Sequence, residues 1–587
     1  MSTRPLQWLA ALSLLGFMAG ACSNGSTGTT RARKAVKDTG LYPADVLNEP
    51  QHVGTPRRGG TVTFGMESAV LNYSPNNKVI QPSDLQVETS VFDSLITSDD
   101  KGLSVLDNTD HRHNQLADSL EPSKDLKTWT LKLRPGIRFS NGDPLTADEV
   151  VKHTQWIKSN AGLCSCSEDA DNIASVTAGT DGLTVTYALE AANVAWPDKL
   201  SEAGLGWITD SKVREQAPDP FNPTFADLVG TGPFKFSSVA GDQFTVVRNP
   251  YYYGVDAANH DAKLPYLDKI VFRPLADTAT RLQALQSKGV QIMQTADTSN
   301  LVNAKKDKNL VVQPISGSSS TIQVLNLQLP PFGVTPKPGE DAQATAARAL
   351  DDPTARMARE AFATSINRNE ANQKYYRGAR VPAYGFIPES SPYFNPKGQL
   401  PRYDRVRAKK LVDELRAQHV TLDLKRICIP GPEASGVFQI LNEQAKAVGI
   451  KSKLTAVEQG VLVSTLLAGK PTGATANWNV ACFRAPQIAD PDGLYNSLHT
   501  GGPGNLVKYS RKDVDRALET GRSLQSTSAR KPYYDEVQEQ VADDVVYIPL
   551  LFDYYGNVHL SSVSGLGRPS PRHLGLIPLG GLYHRAR

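Results

Sequence analysis

The stretch Arg407-Ala-Lys-Lys-Leu-Val-Asp-Glu-Leu-Arg-Ala-Gln-His419 runs directly into Val420-Thr-Leu-Asp-Leu-Lys-Arg-Ile-Cys-Ile429. In the first part the apolar positions Ala408, Leu411, Val412 and Leu415 recur at helical spacing. The second is a short apolar-rich run of strand length. The same order follows twice more. Val437–Val448 is a helix feeding strand Lys451–Val457, and Gly460–Ala468 is a helix feeding strand Ala474–Phe483. Helices that alternate with strands need a sheet covered on both faces, so this part of the chain reads as α/β.

Working outward towards the N-terminus, Val62, Phe64 and Met66 alternate with polar or small residues, as do Trp129, Leu131 and Leu133. Turns follow at Arg134-Pro135-Gly136 and Asn141-Gly142-Asp143. Thr146 then opens a helix, with Glu149 completing a capping box and Leu145 and Val150 placed as a hydrophobic staple. Gly230-Thr231-Gly232-Pro233-Phe234 lacks the Lys-Ser/Thr of a phosphate loop and leads into a strand, so it reads as a tight turn. Strand Tyr266–Pro274, a helix capped by Asp277 and closed by Gly289, and strand Val290–Met293 form a βαβ unit. Further on, Thr321–Leu327 is a strand, 334–352 an exposed Ala/Pro-rich insertion, and Arg356–Ile366 a helix. The apolar tail Val545–Leu560 is strand-like and is expected to return to the first lobe.

Composition narrows the function classes. The 587 residues carry 63 Lys plus Arg against 60 Asp plus Glu, a net +3, with 40% hydrophobic and 21% charged residues. A disordered chain is excluded by that balance, and nothing in it calls for a nucleic-acid partner. Mean hydropathy is −0.34, and only the extreme N-terminus carries a long apolar run, which excludes a polytopic membrane protein. That N-terminus reads as a secretory signal over residues 1–21: a charge at Arg4, an apolar run Leu6–Met18 and the small residues Ala19, Gly20 and Ala21 before Cys22. The arrangement resembles the lipobox of bacterial lipoproteins, with Ala19 where Leu is usual. It implies lipidation at Cys22 and a flexible tether over residues 22–57.

Catalytic motifs are missing. There is no G-x-S-x-G elbow, H-E-x-x-H or Walker-type loop, and no cofactor or metal is expected. Cys164 and Cys166 with His153 and Asp169 lack zinc-site spacing, and His111 and His113 read as solvated. Asp490-Pro491-Asp492-Gly493 lacks the later Glu of a calcium loop. Cys428 and Cys482 each end a strand-like run. Outside the cytoplasm they are expected to form a disulfide if those strands are parallel neighbours.

Taken in order, Leu116–Leu120, Thr128–Phe139, Asn141–Val150, Gly230–Phe236, Arg248–Tyr253, Pro265–Leu285, Gly289–Ile292, Ala361–Arg368, Gly378–Pro388 and Asp490-Pro491 resemble the peptide/nickel-type, family 5 extracytoplasmic solute-binding proteins of ABC importers. The resemblance covers roughly residues 58–570. It implies an α/β fold, a two-lobed type II clamshell with an extra subdomain in lobe I. Lobe I would take residues 58–318, lobe II 319–548, and 549–587 would return to lobe I. A solute held between the lobes would shift the open–closed equilibrium and be handed to a membrane permease. The expected ligand contacts are Gln81, Ser83, Phe552 and Tyr554 from lobe I, and Arg484, Gln487, Asp490 and Asp492 from lobe II. In peptide-binding relatives the position of Gln487 holds an Asp that pairs with the peptide amino terminus, and Arg484 stands where Trp is common. Gln291 and Asn367 replace two further Asp residues, with structural consequences only.

The expected protein is therefore a monomeric, lipid-anchored, extracytoplasmic binding component of an ABC importer, without enzymatic activity. Its ligand is an oligopeptide or peptide-like solute. The alternatives are a signal-peptide receptor without transport, a receptor for a non-peptide acidic or metal-chelate solute, and an extracytoplasmic hydrolase.

Overall fold

The structure, a computed structural model, describes residues 54–586 except 71–73, 77–81, 99–103, 106–114, 161–169, 202–203, 218, 220–223, 225–226, 257–258, 430–431, 458–460, 463–464, 467–476, 487, 489, 503 and 568–575. The signal peptide, Cys22, Cys164, Cys166, His111 and His113 thus lie outside the described residues.

Fourteen strands carry the architecture: β1 Thr61–Met66, β2 Ala117–Pro122, β3 Thr128–Leu133, β4 Ile173–Ala178, β5 Thr184–Leu189, β6 Phe234–Ala240, β7 Gln243–Arg248, β8 Lys269–Pro274, β9 Ile292–Thr295, β10 Leu310–Leu325, β11 Asp423–Cys428, β12 Lys451–Ala456, β13 Val480–Pro486 and β14 Tyr547–Leu560. Ten of them form a continuous sheet in the order β12–β11–β13–β10–β14–β9–β1–β8–β7–β6, with the short strand Val381–Pro382 added beside β14. The order β2–β3–β5–β4 makes a separate four-stranded sheet.

Two members of the long sheet exceed ordinary strand length: β10 has 16 residues and β14 has 14. Leu310–Ser316 pairs with Tyr554–Leu560. After a register shift between Ser316 and Ser319, the rest of β10 pairs with Tyr547–Asp553. Among the described residues, only these two strands run through both halves of the sheet, so they are crossings between the lobes. Of the expected boundaries, 318/319 falls at this shift and 548/549 falls inside β14.

In lobe I, Val62, Phe64, Phe244, Phe272 and Ile292 form one core under β1 and β6–β9, while Trp129, Leu131, Tyr187 and Trp196 centre a second core on the four-stranded sheet. Lobe II is covered on both faces, as helix–strand alternation requires. Phe362, Leu411, Leu415 and Phe438 pack on one side, and Ile322, Leu350, Leu518 and Tyr534 on the other. Full burial of a Leu or Phe is worth about 1.5–3 kcal/mol relative to exposure, so these apolar faces set the register of each helix.

Several local expectations change. The segment read as an exposed insertion contains the helix Ala342–Asp351, capped by Asp341, with Ala346, Ala349 and Leu350 buried in the lobe II core. Its small alanines make a weak periodic signal, but they fit closely against a neighbouring helix. Thr146 caps helix Ala147–Ser159 as expected, yet Glu149 does not return a bond to Thr146. Its carboxylate accepts from the Ser211 N–H (3.0 Å) and hydroxyl (2.9 Å) instead. Strand β13 lies later in sequence than the expected Ala474–Phe483. At the Gly230–Pro233 turn, a Cβ on Gly230 would meet the Val91 carbonyl oxygen at 2.3 Å. Glycine is needed there for close approach to helix Pro82–Val91.

Candidate functional site: the cleft at the crossing strands

The sheet brings charged groups of both lobes together beside the crossings. Arg484 on β13 lies opposite Thr321 on β10, just beyond the register shift. From lobe I, Glu67 follows directly after β1. Its carboxylate accepts from Arg281 Nη2 (3.1 Å), the Ala296 N–H (2.8 Å) and the Tyr555 hydroxyl on β14 (2.9 Å). Burial pushes the Tyr555 hydroxyl well above its ordinary range, the Glu67 charge adds to that, and the Arg484 guanidinium opposes it. Arg484 of lobe II therefore acts electrostatically on a lobe I tyrosine. Nearby, Arg380 Nη2 donates to the Ala296 carbonyl (3.2 Å), and its guanidinium stacks 3.7 Å from the Tyr376 ring centroid. Ala296 is thus bonded through its N–H to Glu67 and through its C=O to Arg380.

Strand β13, which carries Arg484, is braced behind. It runs parallel to β11 with Arg426 opposite Val480 and Ile427 opposite Ala481, so the next pair in register is Cys428 and Cys482. Their Cα atoms are 4.8 Å apart, and the two sulfurs are at bonding distance.

The residues singled out from sequence have diverse surroundings. Gln81 and Gln487 lie outside the described residues. Ser83 is buried, and its hydroxyl accepts from the Ser68 N–H (3.3 Å) and Ser68 hydroxyl (2.8 Å). Phe552, half-buried, pairs through its backbone with Ser320 and Val381, and Tyr554 with Ser316 at the crossing. Asp490 and Asp492 are both buried and both held by arginines. Asp490 takes bidentate bonds from Arg530 (2.8 and 2.6 Å), which also donates to the Tyr393 hydroxyl (2.9 Å). Asp492 takes bidentate bonds from Arg522 (2.9 and 2.8 Å). Burial alone would raise the Asp492 carboxyl, but the charge and hydrogen bonds of Arg522 prevail and hold it below the usual carboxylate range. Gln291 and Asn367 act structurally: the Gln291 side chain accepts the Thr63 N–H (2.8 Å), and Asn367 caps helix Arg368–Tyr376.

Glu67, Arg281, Arg380, Tyr555, Arg522 and Arg530 were not legible as site or pairing residues. The hydrogen-bond partners given above lie 30 to 488 positions away, and only the topology joins them. His153, weighed as a metal ligand, is fully buried, with Nε2 donating to the Gly204 carbonyl (2.8 Å) and Nδ1 facing the Thr209 hydroxyl (3.1 Å). Among the described residues no cluster of His, Cys, Asp or Glu suits a metal, and no helix is long and apolar enough to cross a membrane.

Two α/β lobes joined by two crossing strands, with charged side chains of both lobes meeting at the crossing, define a clamshell solute-binding protein. The chain matches the model of bacterial extracellular solute-binding proteins, family 5, over residues 112–498, and it belongs to that family. It is accordingly a substrate-binding protein rather than an enzyme. It is 25% identical over 509 residues to the glutathione-binding protein GsiB of Escherichia coli (strain K12), covering 86% of this chain and 92% of GsiB. Its fold resembles that of the oligopeptide-binding protein AppA from Bacillus subtilis, solved with a nonapeptide, with TM-score 0.74 and 17% identity, covering 91% of this chain and all of AppA. It also resembles NikA from Staphylococcus aureus in complex with Ni(L-His)2, with TM-score 0.69 and 19% identity, covering 89% of this chain and all of NikA.

Proposed function

We propose that this protein is the lipid-anchored, extracytoplasmic binding component of an ABC importer, and that it captures an oligopeptide or peptide-like solute through an acidic group of that solute. The import role is supported by family membership and by the clamshell. The anchor is supported by the small residues before Cys22. The ligand assignment rests on one observation: Asp490 and Asp492, the carboxylates an ammonium would need, are each occupied by a buried arginine. An incoming ammonium would have to displace a bidentate guanidinium, whose charge-assisted bonds are about twice as strong as neutral ones. An incoming carboxylate is attracted by the Arg484 cation at the crossing. The neutral side chain at Gln487 points the same way, because it gives an ammonium no charged partner.

Calorimetry on the mature protein with one peptide in free, N-acetylated and C-amidated forms tests this reading. Acetylation is expected to leave affinity unchanged and amidation to reduce it. The reverse order would establish an amino-terminus-reading receptor. A GsiB-like relative argues for including glutathione among the probes. Native mass spectrometry of protein purified without refolding identifies any solute carried through purification, and loss of its uptake in a deletion strain establishes transport over signalling.

A further inference from the structure

The reading of the cleft as a solute site leaves one contact between the lobes without a role. Beyond β5, the segment 192–200 of the four-stranded subdomain touches lobe II at the Asp492–Arg522 pair. Asn193 Nδ2 donates to Asp492 Oδ2 (3.3 Å), and the Val194 N–H donates to the Arg522 carbonyl (2.9 Å). The Lys199 charge also acts on Asp492. We propose that this contact is a closure latch: a fixed lobe-to-lobe clasp, independent of the solute, that sets how much of the ligand-free protein is closed.

Both sides of the clasp are preorganised. Asn193 is buried, and its Oδ1 accepts the Ala195 N–H (2.8 Å), which aims its Nδ2 outwards from the subdomain. Behind it, Trp196 is fixed between Tyr187 and Trp129, at ring distances of 4.7 and 6.0 Å. On lobe II, the Arg522 guanidinium lies 3.6 Å from the Tyr495 ring centroid and grips Asp492 in a fork. Arg522 is the last residue of helix Lys512–Arg522, so its carbonyl has no partner within the helix. The Val194 N–H of the opposite lobe supplies that partner. Opening the clamshell would return to water an unpaired helix-end carbonyl, a backbone N–H and one face of an ionised carboxylate.

The clasp uses protein groups only, so it favours closure equally whatever the solute. Apparent affinity scales with the fraction of protein that is binding-competent. A hydrogen bond to a charged acceptor contributes a factor of roughly 10 to 100 to an equilibrium. The latch thus supplies general tightness, independent of which solute occupies the cleft. This inference rests on the solute-site reading for its consequence, but its test needs no solute.

The test compares mature wild-type protein, stripped of solute by unfolding and refolding, with Asn193→Ala and Asn193→Asp. The Asp variant sets a second carboxylate against Asp492. Small-angle X-ray scattering gives the radius of gyration, and hydrogen exchange gives the protection of the Val194 amide. The expected result is a larger radius for both variants, greatest for Asn193→Asp, with Val194 exchange faster by about 10-fold or more and exchange in the cores of both lobes unchanged. A wild-type Val194 amide that exchanges as fast as in Asn193→Asp, with equal radii, would overturn the latch and leave the solute-site reading intact. Loss of core protection in Asn193→Asp would mark unfolding, and the milder Asn193→Ala then decides between the same two outcomes.

Discussion

Replacing Asp490 by Asn separates a binding carboxylate from a structural one. Asp490 and Arg530 have side chains only 9% and 5% exposed, and they meet through two bonds of 2.8 and 2.6 Å. Removing one partner of a buried pair costs about 3–5 kcal/mol, because the remaining charge is left uncompensated. Two features reduce that figure here. Asparagine still offers one acceptor to the guanidinium. Arg530 also keeps the Tyr393 hydroxyl and the Gly521 carbonyl, while its charge remains near the Tyr393 and Tyr534 rings. The expected loss is about 2–3 kcal/mol in the stability of lobe II. The assay is urea unfolding followed by fluorescence, read as a lower midpoint at unchanged slope. Calorimetry on the folded variant is expected to give wild-type affinity for the same peptide. Arg530→Met on its own should also destabilise, and combined with Asp490→Asn it should recover much of the loss, since no buried charge is left alone. An Asp490→Asn protein as stable as wild type but unable to bind peptide would refute the reasoning and restore Asp490 as the ligand's partner.

Arg484→Ala is expected to weaken binding of an acid-bearing ligand by about 2–5 kcal/mol, measured by calorimetry, while binding of the same ligand with its acidic groups amidated changes little. His153 gives a pH dependence. Burial first, and then the Arg214 charge, depress its imidazole to about 3 from 6.5. Between those two values the unfolded chain takes up a proton that the folded one refuses, so stability falls as pH drops through that window, by at most about 5 kcal/mol. His153→Gln should flatten that slope in urea midpoints measured from pH 7 to 4, and an unchanged slope would assign the loss to other groups. Cys22→Ala is expected to move the protein from the membrane to the soluble extracytoplasmic fraction, and retention after carbonate washing would argue against lipidation. Thiol labelling of exported, denatured, unreduced protein is expected to miss Cys428 and Cys482, and peptide mapping that finds either one modified in bulk would reject the bridge.

The sequence alone determined what is local. Period and capping marked the helix after Thr146 and the alternation from Arg407 onward. An apolar run before small residues and a cysteine raised the expectation of an export signal, and ordered short motifs marked the family resemblance. These signals are readable because they depend on neighbours within one or two turns of chain. The helix Ala342–Asp351 escaped notice because its buried face is largely alanine, whose burial depends on what packs against it. The cleft depended on tertiary structure throughout. Asp490 and Asp492 look like available carboxylates in a turn, and only folding places Arg530 and Arg522 against them. Glu67 looks like an ordinary residue after a strand, and only the sheet order sets it beside Arg281 and Tyr555. Hydrophobic periodicity specifies which face of an element is buried. It does not specify which charged side chains, hundreds of residues apart, will share the remaining low-dielectric space. That pairing is settled by strand order and lobe packing, and with it whether a carboxylate such as Asp490 is gripped by an arginine or left facing solvent.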